Sequence, residues 1–173
     1  MAGTGVPLRP ERVFHFAGIR TPHWPTIWLV VSGGPGAGKS TLLRYVAHRK
    51  SSAGRLVARV QLKLVALRLQ RGDTFEQALS RVAGDGSGVP AHRCEELLAN
   101  PELLLADGLD ECGADASSMG EALKKWSHGH QGTTVIVTTR PVGYEAARFA
   151  DWTHLELLPL QREEPSRVQS MTS

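Results

Sequence analysis

Residues Gly33 to Thr41 read GGPGAGKST, and this run constrains the fold of the chain more than any other feature. It has Gly33, four residues, then Gly38, Lys39 and Ser40, which is the spacing of a phosphate-binding P-loop. The apolar run IWLVV (Ile27 to Val31) precedes it, and LLRYVAHR (Leu42 to Arg49) follows it with helical character. A strand, a glycine loop and a helix in that order build a nucleotide phosphate site. Gly33, Gly34, Gly36 and Gly38 permit backbone angles that turn N–H groups inward, and the following helix points its positive end at the phosphates. With Pro35, Ala37 and Thr41 these residues form the expected nucleotide-binding set. Lys39 is expected to reach the β- and γ-phosphates, and the Ser40 hydroxyl to bind Mg²⁺.

The rest of the chain is read around this anchor. A length of 173 residues suits one domain, and 41% hydrophobic content is enough for a core. No apolar stretch reaches the roughly 18 residues that span a membrane. MAGTGVPLRP lacks the apolar region of a signal peptide. Cys94 and Cys112 make neither a disulfide framework nor a metal-ligand spacing, so both are read as packed thiols in a cytoplasmic protein. A net charge of +3 without a dense Lys/Arg block argues against a nucleic-acid partner.

Residues 1–26, punctuated by prolines, read as a lead-in. Strands are expected at about 27–32, 56–64, 102–107, 133–139 and 154–158. Helices are expected at about 39–50, 74–83, 90–99 and 143–149, with another opened by a Ser118–Glu121 cap. Thr74 and Gln77 form a capping-box pair. GDGSG (84–88) reads as a loop. Alternating strands and helices indicate a parallel sheet flanked by helices, with ligands at the carboxyl ends of the strands.

Two further segments fall at such strand ends. In LLLADGLDE (Leu103 to Glu111), an apolar run ends in Asp107, as a Walker B aspartate supporting Mg²⁺ requires. Asp110 or Glu111, just beyond, is placed to polarise an attacking water. Three close carboxylates repel one another unless a cation is near. In TTRP (Thr138 to Pro141), Arg140 is the candidate to sense or stabilise a γ-phosphate. The HGH pair His128 and His130 has no third ligand, and Trp24, Trp28, Trp126 and Trp152 read as core or interface aromatics. Guanine reading through NKxD needs an asparagine, and the sole one is Asn100, in ANPE, so ATP/ADP is the expected ligand rather than GTP.

Together, GGPGAGKSTLL, LLLADGLDE and TVIVTTRPVGY resemble a NACHT domain, of the STAND class of P-loop NTPases, over about residues 27–160. The acidic extension DGLDE is the most specific part. The resemblance implies a three-layer α/β P-loop NTPase with sheet order 5-1-4-3-2, the Arg140 strand lying between those of the loop and of Asp107. It matches Gly33–Thr41 to Walker A, Asp107 to the Walker B metal residue, Asp110 and Glu111 to the acidic pair and Arg140 to sensor 1. It implies a Mg²⁺-dependent, slowly hydrolysing ATPase acting as a signalling switch, in which ADP holds a closed monomer and ATP exchange drives oligomerisation. Protein partners or self-association would come through further modules, and the polar tail 161–173 reads as the start of one. Two other readings are a stand-alone small-molecule kinase, for which Arg68 and Arg71 are the suggestive pair, and a non-catalytic nucleotide-binding scaffold.

Overall fold

In the computed structural model, residues 26–85, 89, 91–99, 101–142 and 146–158 are described. The lead-in up to residue 25 (with Trp24), loop residues 86–88, Pro90, residues 143–145 of the expected late helix and the tail from 159 lie outside them.

The expected alternation is realised in chain order as β1 (Trp28–Ser32), α1 (Lys39–Ser52), β2 (Val57–Gln61), α2 (Leu62–Gln70), α3 (Phe75–Gly84), α4 (Ala91–Leu98) and β3 (Leu103–Asp107). A 3-10 segment (Leu109–Asp115), α5 (Ala116–Gly129), β4 (Thr134–Thr139), a 3-10 turn (Ala146–Phe149) and β5 (Thr153–Glu156) follow. The five strands make one sheet in the order β2-β3-β4-β1-β5, and every pairing is parallel. Read from the other edge this is 5-1-4-3-2, as the resemblance implied.

The helices are divided unequally between the faces. Side chains alternate across each strand. Leu103 and Leu105 of β3 and Ile136 of β4 pack against Leu43, Val46 and Ala47 of α1. Leu104, Ala106, Val135 and Val137, on the other face, pack with Val65 of α2, Leu79 of α3 and Leu123 and Trp126 of α5. Leu105, Val135 and Val137 are fully buried, which is why β3 and β4 read as continuous apolar runs rather than alternating ones. Each such aliphatic side chain contributes about 1.5–3 kcal/mol on burial.

Local signals explain most element boundaries. The Thr74–Gln77 box opens α3 as expected: Gln77 N–H donates to Thr74 Oγ1 (3.3 Å) and Thr74 N–H to Gln77 Oε1 (3.1 Å). Such a cap contributes about 1 kcal/mol. Two expectations are corrected. The second strand stops at Gln61, and the chain turns directly into α2. Leu62, Val65 and Ala66 are buried and Leu69 packs beside them, a helical spacing that alternation over Leu62–Leu64 conceals. The helix α5 begins at Ala116 rather than after a Ser118 cap, because the 3-10 segment runs into it through a kink at Gly113. Ser118 Oγ instead donates to Asp115 O (2.9 Å), and Glu121 pairs with Arg148 (2.7 Å).

Candidate functional site

The glycine loop leaves β1 at Ser32 and enters α1 at Lys39. It is tied to the sheet by backbone bonds from Gly33 N–H to Thr139 O (3.3 Å) and from Leu157 N–H to Ser32 O (2.7 Å). Of its four glycines, Gly36 (φ 72°) and Gly38 (φ 90°) use the left-handed region. Gly33 serves close approach instead: a Cβ there would stand 3.0 Å from Leu157 O. Gly38 precedes the first residue of α1, where no side chain caps the helix and no acidic residue occupies the first turn. The N–H groups of that turn have no partner within the helix, and their dipoles favour an anion.

Lys39 Nζ lies against the loop itself, donating to Gly33 O (2.7 Å) and Gly34 O (2.9 Å). Ser40, in the first turn, donates through Oγ to Asp107 Oδ1 at 3.2 Å, joining residues 67 positions apart. The sheet accounts for this meeting. Asp107 continues the Leu103–Leu105 alternation, so it faces α1 at the carboxyl end of β3. Ile136 shares that face, and so does Thr138 two residues on. Thr138 Oγ1 donates to the same Asp107 Oδ1 (2.7 Å).

The two acidic residues beyond Asp107 are held differently. Asp110 accepts from the Arg140 backbone N–H (3.0 Å) through Oδ1 and from Arg140 Nε (3.1 Å) through Oδ2. Its carboxylate is thus committed to Arg140 at two points. Glu111 folds back over Gly108, whose added Cβ would stand 3.1 Å from the Glu111 carboxyl carbon. It makes a solvent-exposed ion pair with Lys63 of α2 at 3.2 Å, a contact that water screens.

The loop, Asp107, Asp110, Glu111 and Arg140 therefore gather at one end of the sheet. Thr138, expected at this end as part of TTRP but given no role of its own, and Lys63, not expected there, join them. A buried polar residue closing an apolar strand is a usable signal for Thr138. Lys63 has none, because the start of α2 reads as strand. A cleft of about 360 Å³, floored by Ala58, Val60 and Leu104 and walled by Leu79 and Trp126, lies on the sheet face away from α1 and includes no residue of the glycine loop.

The remaining chemistry-bearing residues fall outside the cluster. Arg68 pairs with Asp85 (3.3 Å). His128 lies against Asp151 (3.4 Å) and edge-on to Trp28, whereas His130 stacks on Trp126. Trp126 and Trp152 are buried in the core and Trp28 packs against it. Lys124 and His128 hold Asp151 below the usual carboxylate range, chiefly through the Lys124 hydrogen bond. Among the described residues, no three His, Cys, Asp or Glu side chains converge on a metal-binding geometry.

Cys94 and Cys112 are both buried and free. Burial, with Asp115, Asp110 and Glu111 adding repulsion, pushes the Cys112 thiol from 9.0 up to about 12. The folded thiol keeps its proton, so its contribution to stability is complete below pH 9 and is lost as pH rises towards 12. Reaction requires thiolate. A thiol raised this far holds almost no thiolate at pH 8, so iodoacetamide followed by peptide mapping should leave native Cys112 unmodified and label it in urea. Labelling of the native protein at the rate of a free thiol would contradict this placement.

A comparison with curated proteins finds no match. Among solved structures, the chain is similar to a DNA replication initiation factor, with a TM-score of 0.54, 13% identity and coverage of 76% of this chain and 40% of that one. It is equally similar to replication initiator DnaA bound to AMPPCP and single-stranded DNA (TM-score 0.54, 13% identity, 76% and 40% coverage). AMPPCP-bound DnaA from Aquifex aeolicus gives a TM-score of 0.52 at 14% identity, with 75% and 39% coverage. The chain spans about 40% of the length of these structures, and at such identities the likeness is one of fold. The family profile of the NACHT domain matches residues 28–170. With that match over most of its length, on a five-stranded parallel sheet of the matching order, the chain belongs to the NACHT domain family of P-loop NTPases.

Proposed function

We propose that this chain is the ATP-binding, slowly hydrolysing core of a nucleotide-dependent signalling switch. One observation carries the reading: the fold brings Ser40 and Asp107 to 3.2 Å at the mouth of the glycine loop, beside Lys39. In this reading the loop Gly33–Thr41 wraps the phosphates. Lys39 exchanges the carbonyls of Gly33 and Gly34 for β- and γ-phosphate oxygens, a stronger charge-assisted bond. The DnaA structures that share the fold hold AMPPCP, a nucleoside triphosphate analogue.

The residues present also fit Mg²⁺. Ser40 Oγ and Asp107 are hard oxygen donors side by side, and among the described residues they belong to no metal-binding group of three or more His, Cys, Asp or Glu side chains. Mg²⁺ takes few protein ligands and completes its shell with phosphate and water. Bound with nucleotide, it would neutralise phosphate charge. The protein groups divide the remaining work. Asp110 aims Arg140 at the γ-phosphate, and Glu111, held among the described residues by an exposed ion pair, orients the attacking water.

Family membership supports the switch reading. A bound triphosphate favours one arrangement of the chain and a diphosphate another, each by the difference in affinity. Protein partners or self-association would act through segments beyond the core. We place this activity in the cytoplasm, in keeping with two free buried cysteines. Among the described residues, no helix is long and apolar enough to cross a membrane.

Thermal melting with MgATP, MgADP and MgGTP tests the reading. Ligand at 100 times Kd adds about 2.7 kcal/mol, or roughly 5–10 °C in Tm for a chain of this size. Adenine nucleotides should give this shift and MgGTP a smaller one. Phosphate release should be slow and indifferent to added small acceptors. The absence of any nucleotide shift would refute the proposal, and acceptor-dependent turnover would make the chain a kinase.

A further inference from the structure

Thr138 is fully buried, yet its hydroxyl sits at the centre of the loop end of the sheet. It has one proton and two lone pairs. The buried N–H of Gly108 donates to it at 2.9 Å, and it donates to Asp107 Oδ1 at 2.7 Å. The incoming Gly108 N–H occupies a lone pair, and the single proton is thereby directed to the carboxylate. Asp107 and Gly108 are consecutive, so Thr138 clasps both the side chain and the following peptide of the residue that faces Ser40. Oδ1 then accepts from two hydroxyls, Thr138 and, at 3.2 Å, Ser40. Among the described residues no hydrogen bond to Oδ2 is found.

The register explains the arrangement. Ala106 of β3 stands opposite Val137 of β4. The next position therefore sets Asp107 beside Thr138, on the face that α1 covers. A hydrophobic side chain at 138 would satisfy the sheet equally well, since Val135 and Val137 are just as buried. The hydroxyl is thus needed by its two partners and not by the fold class.

We infer that Thr138 is a positioning residue for the nucleotide-bound cation: it fixes the rotation of Asp107 so that one carboxylate oxygen stays available. This rests on the proposal that Ser40 and Asp107 support Mg²⁺. Thr138 touches no ligand itself, being sealed from solvent. Partners that orient a metal-binding carboxylate typically account for about 10- to 100-fold in metal affinity.

The test is ADP and ATP affinity of the full chain, measured by titration calorimetry with Mg²⁺ and again with EDTA. The comparison is wild type against Thr138→Val and Thr138→Ser. Wild type should bind more tightly with Mg²⁺. Thr138→Val should lose about 10- to 100-fold in the Mg²⁺-dependent gain while keeping the affinity in EDTA, and Thr138→Ser, which restores the hydroxyl, should recover the gain. Thr138→Ala removes the hydroxyl without setting a methyl group against the carboxylate, and must show the same split if the valine variant does not fold. A Mg²⁺ gain unchanged in the valine or alanine variant overturns the inference while leaving the nucleotide site intact. Equal losses with and without Mg²⁺ make Thr138 merely structural and overturn it too. No binding by wild type in either condition defeats the site reading itself.

Discussion

Lys39→Ala should abolish ATP binding. The ammonium is held between Gly33 O and Gly34 O, at 2.7 and 2.9 Å, so it is already gathered at the loop rather than extended into solvent. Phosphate would replace carbonyl as its acceptor, with little reorganisation. A hydrogen bond to a charged group contributes about 1.5–3 kcal/mol, and two such bonds to adjacent phosphates amount to a loss of at least about 100-fold in affinity. The cost to folding should be modest, because Gly34 is only half-buried and its carbonyl can turn to water, although Gly33 is buried. Calorimetry with ATP and a melting curve without it separate the two effects. An unchanged ATP affinity in a folded variant would remove Lys39 from the site and with it the main support for the functional reading.

Glu111→Gln is the second large effect, and it falls on rate rather than affinity. The carboxylate lies over Gly108, one residue past Asp107, and its bond to Lys63 is exposed on both sides. Exposed pairs of this kind are worth about 0–1 kcal/mol, so neither folding nor nucleotide binding should change much. A general base or water-orienting group contributes about 10²–10⁴-fold to a rate, and phosphate release should fall within that range. Asp110 is the less apt residue for this role, since both its oxygens are engaged by Arg140. Lost nucleotide binding in Glu111→Gln would show instead that the acid holds the β3 turn in place. Normal turnover would exclude it from the chemistry.

Both variants probe residues that are legible in the amino-acid sequence, and that is a property of their surroundings. The loop, Asp107 and Arg140 each close an apolar run, and in a parallel sheet the ends of such runs converge. Asp110 is legible in the same way, but its work is not. Whether its carboxylate meets water or arginine depends on where the turn after β4 passes, 30 residues further on. The strand expected over 56–64 ends early for a related reason. Leu62 and Leu64 fit a period of two, whereas Leu62, Val65 and Ala66 fit a helical face, and only packing on α3 and the core resolves the ambiguity in favour of α2, leaving Leu64 exposed.

The sequence by itself determined the phosphate loop, the alternation of strands and helices and the acidic strand end, because each is written in spacing over fewer than about a dozen residues. The tertiary structure alone decided that α1 stands on the sheet face opposite α2, α3 and α5. It also decided that Lys63 meets Glu111, that Asp110 grips Arg140, and that Thr138 orders Asp107. These are contacts between separate elements, set by strand register and by which face each side chain takes. A one-residue slip of β4 against β3 would leave every local signal intact and still turn Thr138 away from Asp107.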